Sequence, residues 1–186
     1  LATDQEVGGS SPPGRATFSA RLAGKCDGRL RMTSLLEVDA WMRLAIAQAN
    51  QASEEKEVPV GAVVLRGGDL VAVGYNRMEQ LSDPSAHAEI LALREASCFA
   101  GDWRLDGTTL VVTLEPCLMC LGAIIMARVE RLIYGARDPR YGACGSAIEL
   151  PDPSLAPHLR EVRHATHPDE CGDLLRTFFR ELRAST

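Results

Sequence analysis

At 186 residues, with 46% apolar and 24% charged side chains, the chain is long enough for one well-cored domain and too short for two of ordinary size. No apolar run approaches the ~18 residues of a membrane-spanning helix. The formal net charge of −5 argues against diffuse nucleic-acid binding while leaving room for a local basic patch. Residues 1–20 hold no apolar segment behind a basic start, so a secretory leader is not expected. The expected compartment is the cytoplasm, where the six cysteines stay reduced and the close pair Cys117 and Cys120 reads as metal-binding or redox-active.

Residues 1–31 stand apart from the rest. Gly8-Gly9-Ser10-Ser11-Pro12-Pro13-Gly14 is a turn-rich tract without an apolar period, and Met32 directly precedes the first helical pattern. A disordered extension over 1–31, with translation starting at Met32, and one domain over 32–186 are the expectation. A helix is predicted from Leu35 to about Ala52, with Leu36, Ala40, Leu44 and Ala47 as its apolar face. Two strands follow, Pro59–Leu65 and Leu70–Tyr75, joined by a hairpin signal at Gly67-Gly68-Asp69. Asp83-Pro84-Ser85 sets up a helix over about Ala86–Ala96. Thr108–Leu114 is β-branched and apolar, a buried strand, and Pro116 opens a helix to about Arg128. Arg131–Tyr134 and Glu161–Ala165 are short strands, and Asp169–Arg183 is a final helix. The strand–helix–strand alternation favours a largely parallel core covered on both faces, an α/β domain of three layers, α/β/α.

The chemistry concentrates at two predicted helix starts. His87 and Glu89 fall in the first turn of one helix, Cys117 and Cys120 in the first turn of the next. Three-residue spacing puts both sulfurs on one helix face, and the amide dipoles there favour thiolates. Both helices follow strands, so their N-termini can meet at one sheet edge, where α/β proteins place their sites. One imidazole and two thiolates give a metal three ligands, which suits a catalytic zinc with one open position. Two thiolates already neutralise the metal, so its water needs a nearby base. Glu89, close to His87 but aimed elsewhere, suits a proton shuttle better than a ligand. The rival classes are a structural zinc module and a thiol–disulfide oxidoreductase. Neither has a use for His87-Ala88-Glu89.

The joint pattern of His87-Ala88-Glu89 and Pro116-Cys117-Leu118-Met119-Cys120 is the H-x-E…P-C-x-x-C signature of zinc-dependent nucleobase deaminases. From about Leu36 to Arg183 the chain resembles the bacterial tRNA-specific adenosine deaminases. The resemblance is carried by Pro59–Val63, Gly74-Tyr75-Asn76-Arg77, Asp83–Ile90, Thr113–Cys117, Gly135–Asp138, Gly142–Ser146 and Phe178-Phe179-Arg180. It implies a cytidine-deaminase-like fold with a mixed five-stranded sheet, a homodimer with one Zn²⁺ per subunit, and conversion of adenosine to inosine at the wobble position of a tRNA anticodon. By matching position it makes Asn76 a hydrogen-bonding contact to the nucleoside, Val60 and Ala86 pocket wall, and Asp138 a contact to the RNA backbone or ribose. Phe178, Phe179 and Arg180 then belong to the C-terminal helix that faces flanking bases. Plain alternatives stay open: Val60 and Ala86 as core, Asp138 as a turn cap with Pro139, and at most one of the adjacent Phe178 and Phe179 on the RNA. The helix from Cys120 to Arg128 suits either a dimer interface or the core of one subunit. Tyr141 is bulkier than the resemblance leads one to expect. The weakly basic C-terminus leaves Arg137, Arg140, Arg180 and Arg183 as the available cations. The alternative function is deamination of a free base, nucleoside or nucleotide of guanine or cytosine type.

Overall fold

The computed structural model describes residues 35–165 and 167–185. The extension expected over 1–31 and the start at Met32 lie outside the described residues. Its elements are α1 (Leu35–Glu54), β1 (Gly61–Arg66), β2 (Asp69–Tyr75), α2 (Met78–Leu81), α3 (Ala88–Ala100), β3 (Thr108–Leu114), α4 (Leu118–Met126), β4 (Arg131–Ala136), β5 (Glu161–His164) and α5 (Pro168–Ala184).

Gly67 and Gly68, both at positive φ, turn β1 into β2 as the hairpin signal requires. The five strands form one sheet in the order β2-β1-β3-β4-β5. β1 is antiparallel to both β2 and β3, whereas β3, β4 and β5 pair in parallel. Four strands therefore point one way and β1 runs against them. The sheet is mixed, and only two of its four pairings are parallel, which corrects the expectation of a largely parallel core. The reason is that β1 is inserted between β2 and β3, a non-local pairing.

One sheet face packs Ala88, Ala92, Leu93 and Ala96 of α3 and Leu121 and Ile124 of α4 against Ala62, Val64, Leu110, Val112 and Leu132. The other packs Val38, Met42, Ala45 and Ile46 of α1 and Cys171 of α5 against Val63, Leu65, Val111 and Ile133. This is the three-layer α/β/α arrangement expected from the alternation. The inward face of α1 differs from the expectation: Val38, Met42, Ala45, Ala49 and Ala52 are buried, while Ala40 and Ala47 are exposed and Leu44 is half-buried. In an alanine-rich helix two faces carry similar apolar content, and tertiary packing chooses between them.

Two glycines set how closely helices approach the sheet. A Cβ on Gly61 would lie 2.1 Å from the Ala45 carbonyl oxygen of α1, and one on Gly74 would lie 2.5 Å from the Ala88 oxygen and 2.7 Å from the Ala92 nitrogen of α3. The second contact matters for chemistry, because α3 carries His87 and Glu89 at its start. Gly74→Ala forces α3 off β2 by backbone collision, which no rotamer change relieves. The expected cost is about 2–3 kcal/mol, a fall in Tm of roughly 5–10 °C for a domain of this size. Thermal unfolding checks it; an unchanged Tm would mean the helix can slide at no cost.

Candidate active site

Because β2, β3 and β4 point the same way, their carboxyl ends share one edge of the sheet. α3 begins there after β2, α4 begins there after β3, and the segment starting at Arg137 leaves β4 there. Asp83 shapes the approach to α3 by accepting hydrogen bonds from Ser85 N (2.8 Å) and Ser85 Oγ (2.6 Å). The helices start two residues later than the sequence signals suggested: His87 is the N-cap of α3 and Cys117 the N-cap of α4. Pro116 thus precedes the cap rather than occupying the first helical position, and its carbonyl accepts from Ala143 N at 2.9 Å. Neither cap side chain makes a capping hydrogen bond to its own helix, and Cys117 instead pairs with the Cys120 thiol. Both are therefore free to face a common point.

That point is well defined. The donor atoms of His87, Cys117 and Cys120 lie within 4.8 Å of one another. His87 Nδ1 is 3.4 Å from Cys120 Sγ and 3.8 Å from Cys117 Sγ. Edges of a tetrahedron built from ordinary zinc–nitrogen and zinc–sulfur bonds are roughly 3.5–3.8 Å, so the donor set fits such an ion. No fourth ligand joins it among the described residues: Cys98, Cys144 and Cys171 are free thiols outside the group. The hydrogen bond from Cys120, and behind it that of His87, holds the Cys117 thiol down to about 4 against the effect of burial. Cys120, the donor in that pair and deeply buried, is pushed up. The bond to Cys117 raises His87. A dication among the three would favour the thiolate form of both sulfurs.

Glu89, in the first turn of α3, is 4% exposed and its carboxyl is raised above the usual range by burial. It lines the same cleft as His87 and Cys117, a cavity of about 1260 Å³. Asn76 and Val60 line it too, Val60 doubling as part of the core. Ala86 is fully buried and is not part of the lining. Its carbonyl accepts from Arg77 N (3.0 Å), the residue after Asn76. Asp138 lines the cleft and also caps a turn, with Oδ1 accepting from Arg140 N (2.9 Å) and Tyr141 N (3.2 Å). Asp138 Oδ1 is thus engaged in the turn while the residue borders the cleft. Of the paired phenylalanines, Phe179 lines the cleft and Phe178 does not, the two rings meeting edge-on at 5.4 Å. Arg137, Arg140, Arg176, Arg180 and Arg183 share the lining, and the exposed Tyr141 ring sits under the Arg140 guanidinium.

Two buried carboxylates organise these walls, and nothing about them stood out in the chain. Glu115 is 2% exposed and gathers the loop after β4, accepting from Asp138 N (3.1 Å), Cys144 N (2.9 Å), Ser146 N (3.1 Å) and the Ser146 hydroxyl. Gly142 lies directly against that carboxylate, where a Cβ would approach within 2.5 Å. Glu115 stands in the Thr113–Cys117 stretch, so its position next to the cysteine motif was the available signal. Glu57 is 1% exposed and binds Asn76 and the start of α2.

A buried carboxyl beside one imidazole and two cysteines, on a mixed sheet covered by helices on both faces, is the common property of nucleobase deaminases with the cytidine-deaminase-like fold. Residues 36–183 match the MafB19-like deaminase family. The tRNA-specific adenosine deaminase of Bacillus subtilis (strain 168) is 43% identical over 145 residues, spanning 78% of this chain and 90% of that protein. A solved structure from a study of A-to-I editing by tRNA:A34 deaminases at the wobble position of transfer RNA aligns with a TM-score of 0.70 and 41% identity, over 74% of this chain and 99% of its own. A guanine deaminase from Nitrosomonas europaea aligns with a TM-score of 0.61 and 28% identity, over 81% and 86%. The chain belongs to the tRNA-specific adenosine deaminase family, within the MafB19-like deaminases.

Proposed function

We propose that this protein hydrolytically deaminates adenosine to inosine at the wobble position of a tRNA anticodon, using one Zn²⁺ per subunit held by His87, Cys117 and Cys120. The observation that carries the reading is the buried Glu89 carboxyl in the same cleft as a three-donor cluster. When bound, zinc supplies an acidified water as nucleophile toward C6 of the base. Glu89 would accept a proton on its carboxyl oxygen as the nucleophile adds and pass it to N1, which makes C6 more electrophilic. Glu89 then moves the second proton to the exocyclic amine, and ammonia leaves. Burial serves this role because a carboxyl raised toward neutrality both accepts and returns a proton readily.

Asn76 contacts the nucleoside, Val60 forms pocket wall, and Ala86 supports that wall from behind. Asp138 meets the RNA backbone or ribose with the carboxylate oxygen left over from its turn. Phe179 and Arg180 meet flanking bases. The cleft exceeds the roughly 300–1,000 Å³ that small ligands occupy, and its arginine rim suits phosphates despite the acidic chain average. Both features favour an anticodon loop over a free base. Loop bases can be splayed out without breaking a duplex. For the homodimer, Leu118, Met119 and Met126 of α4, with nearby Trp103 and Phe99, present exposed apolar surface on the α3–α4 side. No described helix is long and apolar enough to cross a membrane, and the cytoplasm is where tRNA and reduced thiols coexist.

The test offers the protein free adenosine, guanine, cytosine and an unmodified tRNA with adenosine at the wobble position. Total tRNA is then sequenced before and after for A-to-G changes. Inosine is expected at the wobble position, with free bases untouched. Turnover of guanine with no change in tRNA would replace this reading by the free-base one.

A further inference from the structure

We infer that Glu57 is a positioning residue for substrate recognition: it locks the Asn76 carboxamide so that its oxygen, and not its nitrogen, is offered to the cleft. The inference rests on the reading of Asn76 as a substrate contact in the proposed deaminase.

Glu57 lies in the segment between α1 and β1 and is 1% exposed. Its Oε2 accepts from Asn76 Nδ2 (3.3 Å) and from Glu79 N (3.3 Å), and its Oε1 accepts from Gln80 N (2.8 Å). The last two donors are first-turn amides of α2, whose N-cap Arg77 offers no side-chain bond. Glu57 therefore caps a one-turn helix from outside it, and that helix follows directly on Asn76. The carboxylate is itself pinned by two backbone donors, so it cannot turn away from Asn76. The Glu57 carboxyl acts as an acceptor through both of its oxygens. It therefore selects Nδ2 as the atom of Asn76 that faces inward. Asn76 Oδ1 has no hydrogen-bond partner among the described residues, yet it is not a sealed atom: the sealed, unpartnered side-chain polar atoms among those residues are Arg66 Nε and Thr109 Oγ1. Asn76 lines the cleft, so Oδ1 is its free acceptor there. The matching ligand group is a donor, an exocyclic amine or a sugar hydroxyl.

The polarity of this pair can be exchanged. In Glu57→Gln the one remaining oxygen stays on the shorter bond, that from Gln80 N (2.8 Å), so the new N–H faces Asn76 Nδ2 and Glu79 N, the Glu79 bond is lost, and the Asn76 amide turns to offer nitrogen to the cleft. Asn76→Asp sets two carboxylates against each other. The double variant E57Q/N76D restores one donor and one acceptor, keeps the charge of the pair, and returns an oxygen to the cleft. The experiment measures kcat/KM on a tRNA with wobble adenosine, with Tm and zinc content beside it, for the wild type, E57Q, N76D, E57Q/N76D, N76A and E57Q/N76A. Each of E57Q, N76D and N76A is expected to lose about tenfold or more, the range for a hydrogen bond to a charged partner or for its loss. E57Q/N76D should recover to within about threefold of wild type, and E57Q should cost nothing further in the N76A background. Should E57Q alone fail to fold, relief of the N76D lesion by E57Q still decides. Losses that simply multiply in E57Q/N76D, or a full E57Q penalty in N76A, would overturn the inference. Wild-type activity in N76A would overturn the Asn76 contact itself. A wild-type protein that leaves the tRNA unchanged would instead overturn the deaminase reading.

Discussion

Glu89→Ala is expected to lower kcat at least about 10³-fold while the protein keeps its metal. The magnitude follows from the number of steps that pass through one carboxyl. General acid–base catalysis contributes about 10²–10⁴-fold, and in the proposed mechanism both proton deliveries, to N1 and to the departing amine, use Glu89. Retention of metal follows from geometry, since the donor cluster consists of His87, Cys117 and Cys120 without Glu89. Folding should not suffer either. Glu89 is almost wholly buried, and burial opposes its charged form, so an alanine there removes an uncomfortable group at the cost of a small cavity. The sign of the effect on Tm is therefore neutral to positive. That combination separates a catalytic loss from a structural one. Single-turnover inosine formation, elemental analysis and thermal unfolding on the same preparation check it. Substantial turnover in the alanine variant would remove Glu89 from the proton path, whatever the metal content.

The chemistry of the cluster could be read from the chain because its parts are local. His87 and Glu89 are two residues apart, Cys117 and Cys120 three apart, and each pair sits where a turn or proline announces a helix start. Element order was equally readable apart from the one-turn α2 (Met78–Leu81), which has no apolar period of its own, since hairpin glycines and β-branched runs act over a few residues. The supporting carboxylates obey a different logic. Glu57 and Glu115 bond backbone amides and side chains 19 to 31 positions away in the chain, and a backbone N–H leaves no mark on residue identity. An acidic residue before Val58-Pro59 reads as surface until the fold brings Asn76 and α2 over it. The phase of α1 was lost for a related reason. With alanine at positions 40, 45, 47, 49 and 52, burial depends on which face finds Gly61, and that contact spans the gap between helix and sheet. Likewise the reversal of β1 between β2 and β3 is a property of strand order, which only pairing across the whole domain decides.

Cys117→Ser should lose both metal and activity while leaving the fold standing. The variant replaces a thiolate by a neutral hydroxyl, so the cluster drops to two strong donors, below the three that hold a catalytic zinc. Its position sharpens the effect. Residue 117 is the N-cap of α4, and Cys117 makes no capping hydrogen bond to its own helix. Serine is among the best N-cap residues, accepting from the amides of the first turn. The introduced hydroxyl is thus drawn toward the Met119 and Cys120 backbone N–H groups and away from His87, and the helix gains a cap as the site loses a ligand. Metal content by elemental analysis should fall from near one per subunit to near zero, and inosine formation should fall with it. Tm should fall toward that of chelator-treated wild type, because the stabilisation lost is that of the bound ion. Adding zinc should restore the chelated wild type and not the variant. Cys120→Ser is expected to cost more stability for the same chemistry, since Cys120 is fully buried and cannot relax toward solvent. A Cys117→Ser protein with full metal and full turnover would show that both the ion and the reaction rest on other donors, and would remove Cys117 from the ligand set.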